Sequence, residues 1–274
     1  MMNAVKTSAE IIETVCNEGL SKSKLSLRSN LTLACMAGFY VGFGAFMALR
    51  IAAGMNLEIW GSLQRLAFGV VFPVGLLLVL MAGAELFTGN CLFMPCAMVK
   101  HGVGLNKLFR ILILTYIGNL VGSIFVSWLG NFSGVLADKD TATYIVTVAN
   151  GKCDLPFSLA FVRGIFCNWL VCLAIYLTLA ARDGVSKILL LWPPITTFAA
   201  LGFEHSVANM TFIPLGIFTG SSPAYLGTVP LTANWYGFFI SNLIPVTLGN
   251  IIGGAIFVGL AYYFANGLKR ADKN

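Results

Sequence analysis

The chain holds 274 residues, 58% of them hydrophobic and only 10% charged, with a mean hydropathy of +0.84. Soluble domains carry about 25% charged residues, and a soluble fold of this size cannot hide so much apolar surface while offering water so few charges. A soluble enzyme, a disordered chain and a collagen-like fibre are excluded, and the net charge of +6 points to basic loops beside a membrane rather than to nucleic acid.

Residues 1–28 mix acidic and basic side chains and contain no signal-peptide pattern. Thr7 and Glu10 have the spacing of a capping box, followed by an apolar stripe of Ile11, Ile12 and Val15. That predicts a short amphipathic helix lying along the membrane surface. Six apolar units follow, at about 30–54, 63–99, 109–131, 155–181, 188–219 and 238–265. A straight span needs about 20 apolar residues. The second and fifth units exceed that, and each is interrupted by a polar cluster, Gly83–Asn90 or Gly202–Asn209, with Pro95 or Pro193–Pro194 nearby. Backbone broken at membrane depth is tolerated only where protein covers it or where it lines a cavity.

Lys and Arg set the expected orientation. Twelve of them (Lys6, Lys22, Lys24, Arg28, Lys100, Lys107, Arg110, Arg182, Lys187, Lys269, Arg270, Lys273) fall on one side of six spans, and four (Arg50, Arg65, Lys139, Lys152) on the other. Both termini are expected in the cytoplasm of a cell with this protein in its inner (plasma) membrane, and the uncharged 220–237 loop outside. Arg163 falls inside the fourth span, near its outer end.

The two interruptions share one pattern. Gly83-x-Glu85-x4-Asn90 matches Gly202-x-Glu204-x4-Asn209, and Gly118-Asn119-x2-Gly122 in the third span matches Gly249-Asn250-x2-Gly253 in the sixth. With three spans in each half, the second half must enter the membrane from the opposite side. The expected fold is an all-α membrane protein with six transmembrane spans in a 3+3 inverted repeat and two broken helices. Chance matching of glycine-rich packing motifs is the competing explanation. The expected organisation is a cytoplasmic N-terminal helix at 1–28, a channel domain at 29–266 and a cytoplasmic tail at 267–274.

Ionisable groups inside a bilayer are costly and are functional candidates by default. They are Glu85, Arg163, Glu204 and His205. His205 can donate a hydrogen bond to an anion or exchange a proton; its structural alternative is a buried ring satisfied by a carbonyl. Glu85 and Glu204 stand where freed backbone N–H groups need acceptors, which suits structural clamps, with proton relay as the other role. Asn168 is a candidate partner for Glu204. Thr88 and Asn90 at the first break either face the pore or cap the second half-helix. Lys152 is either a solvated loop lysine or an electrostatic lure for anions. Seven cysteines, an odd number with no CxxC pair, read as small buried residues, so no metal, disulfide framework or cofactor is expected.

The segments GAELFTGN, YIGNLVGS, CNWLVCLA, GFEHSVANM and NLIPVTLGNIIGGAIFVG together resemble the formate/nitrite transporter family over essentially the whole chain, closest to its nitrite- and hydrosulfide-conducting branches. The resemblance implies a homopentamer of aquaporin-like protomers, each with its own pore. It implies that His205 is the central pore histidine, Thr88 the pore threonine and Lys152 the outer-vestibule lysine. It also implies a cytoplasmic constriction at Phe72, Leu76, Leu86 and Phe198, a periplasmic one at Phe87 and Val171, and ordering of the second break by Glu204, Asn209 and Asn168. Pro73 and Arg163 have no counterpart in that pattern. The expected function is a channel or transporter, not an enzyme, passing small monovalent anions of weak acids (formate, nitrite or hydrosulfide) with protons across the lipid bilayer. The rivals are a neutral-solute pore and, less readily, a membrane redox enzyme.

Overall fold

The computed structural model describes residues 5–267. Of the expected tail at 267–274 only Gly267 is among them, and residues 1–4 of the N-terminal segment also lie outside the described residues. Helices run in the order α1 (Ser8–Lys22), α2 (Leu27–Ala53), α3 (Leu57–Trp60), α4 (Ser62–Val71), α5 (Val74–Met81), α6 (Phe87–His101), α7 (Leu105–Phe132), α8 (Lys139–Cys153), α9 (Phe157–Ala180), α10 (Gly184–Ala200), α11 (Ser206–Gly220), α12 (Ile244–Gly254) and α13 (Ala261–Ala265). α12 and α13 belong to one span, Gly237–Ala265, in which π-helical stretches Gly237–Leu243 and Ala255–Leu260 flank α12. The stretch Ser62–Met81 is long and apolar enough to cross a membrane and is bent at Phe72–Pro73, where the proline has no N–H to give the helix. The two expected breaks are real: the chain is non-helical between α5 and α6 and between α10 and α11. Gly83 and Gly202 turn there with φ of 71° and 72°, a region that side chains with a Cβ rarely adopt.

The repeat extends to single hydrogen bonds. In the first half, Asn119 of α7 donates from Nδ2 to Ala34 O (2.8 Å) and Glu85 O (2.9 Å), and its Oδ1 accepts from Phe87 N (2.9 Å). In the second half, Asn250 of α12 donates to Gly164 O (2.8 Å) and Glu204 O (3.0 Å) and accepts from Ser206 N (2.9 Å). Glu85 N donates to Leu33 O of α2, and Glu204 N to Arg163 O of α9. Each break is thus stitched both to an unbroken helix and to an asparagine in the middle of a span. The paired glycines let those helices touch: a Cβ on Gly122 would stand 2.2 Å from Cys35 O, and one on Gly253 would stand 2.3 Å from Ile165 O.

Two expectations change here. The backbone at each break is clamped by Asn119 and Asn250, not by the carboxylates of Glu85 and Glu204, because an amide side chain can both donate to and accept from the freed backbone whereas an ionised carboxylate only accepts. And α1 does not lie with its apolar stripe against lipid. Its capping box forms as expected, but Ile11, Ile12, Val15 and Cys16 are buried against the protein, and Gly19 approaches so closely that a Cβ there would meet Phe93 O at 2.2 Å. Ser8 hydrogen-bonds Tyr176 of α9 (2.8 Å), and Lys100 of α6 pairs with Glu13 (3.0 Å).

α8 falls outside the six apolar units expected from the sequence. α8 is the partner of α1 in the second half: both helices have fifteen residues, and α8 packs on α11 as α1 packs on α6. Its signal was present in the Asp138 N-cap and in an apolar stripe through Ala142, Ile145, Val146 and Ala149.

Replacing Asn119 or Asn250 by Ala strands one buried N–H and uncovers two carbonyls, so each change should destabilise the protein by about 2–4 kcal/mol, an unpaired buried group costing about 1–3 kcal/mol. Thermal unfolding in detergent checks this; an unchanged midpoint in both variants would contradict the clamp.

Candidate functional site

The N-termini of α6 and α11 converge. His205 is the N-cap of α11, and its Nδ1 accepts from Ala208 N at 3.0 Å. A ring whose Nδ1 accepts carries its proton on Nε2, and that nitrogen lies 3.1 Å from Thr88 Oγ1 in the first turn of α6. The hydrogen-bond pattern therefore has Nε2–H donating to Thr88, which leaves the threonine hydroxyl proton for a third partner. Leu86, at the N-cap of α6, supplies no side-chain cap, and Asn119 Oδ1 takes the Phe87 N–H instead. Asn168 of α9 donates to Thr88 O (3.1 Å) and to Asn250 O (2.7 Å), and Cys172 Sγ donates to the same threonine carbonyl (3.3 Å). The expected bond from Asn168 to Glu204 is replaced by these two, because Asn168 sits between the opposing half-helices.

Glu85 and Glu204 serve lysines. Lys22 Nζ donates to Glu85 Oε1 at 2.6 Å and lies over the Phe93 ring; Lys152 Nζ donates to Glu204 Oε1 and Oε2 at 3.0 and 3.1 Å and lies over Phe212. Each carboxylate also accepts from the asparagine of its own half, Asn90 Nδ2 (2.9 Å) or Asn209 Nδ2 (2.6 Å). Asn90 and Asn209 therefore hold the carboxylates; Asn90 stands two residues beyond Thr88 and Asn209 four beyond His205. Lys152, the expected outer-vestibule lysine, is paired with Glu204.

Three cavities line up through this point. One of about 470 Å3 opens on the Lys152 side, walled by Arg65, Tyr144, Lys152 and Arg163, with Phe72, Phe198 and His205 at its floor. A second of about 470 Å3 opens on the Lys22 side, walled by Glu18, Lys22, Glu85 and Lys187. Between them a chamber of about 10 Å3 is lined by Phe72, Leu76, Leu86, Val171, Phe198 and His205. A volume of that order sits at the lower limit for one water.

The order of these residues corrects the expected constrictions. Phe72 and Phe198, whose rings meet edge to face at 5.7 Å, close the Lys152-side cavity rather than the N-terminal one. Val171 joins Leu76 and Leu86 around the small chamber. Phe87 lines none of these three cavities; its ring packs edge-on against Tyr116 of α7 at 4.9 Å. These shifts follow from the inverted repeat, since α4 and α10 reach the centre from opposite faces and meet there as a pair.

The family model described as formate/nitrite transporter matches residues 9–264. The chain belongs to the formate/nitrite transporter family. Among its relatives, a probable formate transporter of Methanothermobacter thermautotrophicus is 40% identical, across 96% of this chain and 98% of that protein. The nitrite transporter NirC of Escherichia coli (strain K12) is 39% identical, across 85% of this chain and 81% of that protein. Identity therefore does not separate formate-named from nitrite-named members. A solved FNT family ion channel superposes with a TM-score of 0.83 at 34% identity, covering 94% of this chain and 99% of that one. A pentameric formate channel with formate bound superposes at 0.80 and 29% identity, covering 88% and 98%.

Breaking one lysine–glutamate pair leaves a charge in a cavity wall without its partner. Lys152→Met should cost about 3 kcal/mol in thermal unfolding, because it strands a buried carboxylate. Lys152→Met/Glu204→Gln should recover part of that loss; a double variant no more stable than Lys152→Met would mean that the pair is not coupled.

Proposed function

We propose that the protein is a channel for small monovalent anions of weak acids, formate, nitrite or hydrosulfide, and that they cross its narrow centre as neutral acids. The observation that carries this is the arrangement around His205: the imidazole lines a chamber of about 10 Å3 with otherwise apolar walls, is hydrogen-bonded to the buried Thr88, and stands between two wide cavities with charged walls. A bare anion entering such a slot would lose its hydration with no countercharge in reach, at a cost of many kcal/mol. A neutral acid escapes that penalty. The anion takes a proton from the water of the cavity, receives the Thr88 hydroxyl hydrogen bond, passes Phe72 and Phe198, and releases the proton on the far side, so one proton moves with each anion. In this reading His205 is a hydrogen-bond donor that orients Thr88; its Nδ1 is committed to Ala208 N, so a second ring proton would break the cap of α11. Leu76, Leu86 and Val171 keep the chamber dry, and Asn168 holds Thr88 in place.

The relatives named above are transporters or channels, and one of them is pentameric. We extend that assembly to this chain: five protomers, each with its own pore, in the plasma membrane with both termini in the cytoplasm. The lysine bias supports the orientation, since Lys22, Lys100 and Lys107 then face inward.

In proteoliposomes, His205→Phe should lower formate, nitrite and hydrosulfide flux by at least about tenfold, and Thr88→Val nearly as much, the loss of one positioned donor costing about 1.4 kcal/mol or more. Unchanged flux of all three anions in His205→Phe would refute this role. Wild-type formate and nitrite flux at fixed total anion should rise steeply as pH is lowered from about 8 to about 6, because far above their pKa the acid fraction grows about tenfold per unit. A flat profile would indicate passage of the bare anion.

A further inference from the structure

The two mouths of the pore differ in charge, although the repeat makes their frames alike. Two acids and two bases, Glu18, Glu85, Lys22 and Lys187, line the cavity beside α1. The opposite cavity has three bases, Arg65, Lys152 and Arg163, against the single acid Glu204. That acid is taken up by Lys152. Among the described residues, neither Arg65 nor Arg163 has an ion-pair partner. The unpaired positive charge at this mouth is therefore carried by guanidinium groups, not by the lysine.

Both arginines stand on elements fixed at the pore. Arg163 is half-buried in α9, and its carbonyl accepts Glu204 N (3.3 Å), one residue before His205. Arg65 shares a face of α4 with Phe68 and Phe72 at helical spacing, so it lies two turns, roughly 10 Å, above the aromatic floor. Its charge also lies close enough to the Tyr144 phenol of α8 to oppose the rise that burial imposes there. A guanidinium offers parallel N–H donors that match the two oxygens of a carboxylate or of nitrite, whereas an ammonium acts as a point charge.

We propose that Arg65 and Arg163 form a capture site for a two-oxygen monovalent anion at this mouth, so that the pore is loaded with formate-like or nitrite-like oxyanions in preference to a one-centre anion such as hydrosulfide. The proposal rests on the transport reading above. The site raises the local oxyanion concentration and acts on entry, leaving the central His205–Thr88 step as it is.

The test is uptake of formate and of hydrosulfide by cells expressing the full chain, where insertion is uniform, at low and high ionic strength. Arg65→Gln/Arg163→Gln should raise the formate concentration for half-maximal uptake by about tenfold and leave the saturated rate within about twofold, the range expected of electrostatic steering. Salt should weaken formate uptake by the wild type and have little effect on the double variant. Arg163→Lys keeps the charge and loses the fork, so it should impair formate half-saturation while hydrosulfide uptake stays as in the wild type. Arg65 is exposed, so Arg65→Gln alone leaves the packing intact and should still raise formate half-saturation about threefold, part of the same steering effect. Half-saturation and salt dependence equal to wild type in Arg65→Gln and in the double variant would overturn the capture site while leaving transport standing; a wild type that carries neither anion would overturn the transport reading itself.

Discussion

A bilayer interior offers no water to a broken helix, and every N–H and C=O freed there must find a partner within the protein. This chain opens two helices in its centre, and the arrangement around them follows from meeting that demand twice. Asn119 and Asn250 each bridge an unbroken helix and a break with three hydrogen bonds. Once they are in place, α6 and α11 begin from fixed points, their positive ends face each other, and the paired glycines bring the supporting helices to backbone contact. The cost of opening the helices is met by amides that serve no ligand, which leaves Thr88 and His205 available for one.

Function lies where the two halves depart from the repeat. Matching Gly83 to Gly202 puts Leu86 opposite His205 and Thr88 opposite Val207, so each half contributes one polar and one apolar side chain to the centre. The mixed arrangement gives a chamber with apolar walls and a single hydrogen-bonding side chain, His205. The aromatic pair Phe72 and Phe198 repeats the logic at the Lys152-side entrance, with one ring from each half.

Charge follows a similar division. Each break glutamate is tied to the lysine in the last turn of α1 or of α8, so both mouths share a lysine–glutamate frame. The difference between them comes from side chains outside the repeat pattern. Arg163 stands at the position that Leu33 occupies in the first half, since their carbonyls accept from Glu204 N and Glu85 N respectively. A residue that the family resemblance leaves without a role thereby gives the mouth its sign.

The sequence by itself was enough for the number of spans, the two interruptions and the inverted repeat, because each depends on features local in the chain: length of apolar runs, a polar cluster too costly to be incidental, a spacing that recurs. It also drew attention to Asn119 and Asn250 as motif residues, yet it gave their task to Glu85 and Glu204, since composition shows that acceptors are near a break but not which atoms reach it. The partners of Lys152 and Asn168, the face on which Phe72 closes the pore, the docking of α1 and the role of α8 depended on residues distant in sequence meeting across the fold. Those contacts are set by how inverted halves interlock, and only the tertiary structure decides that, because hydrogen bonds and ring contacts act over a few ångströms of space whatever their separation along the chain.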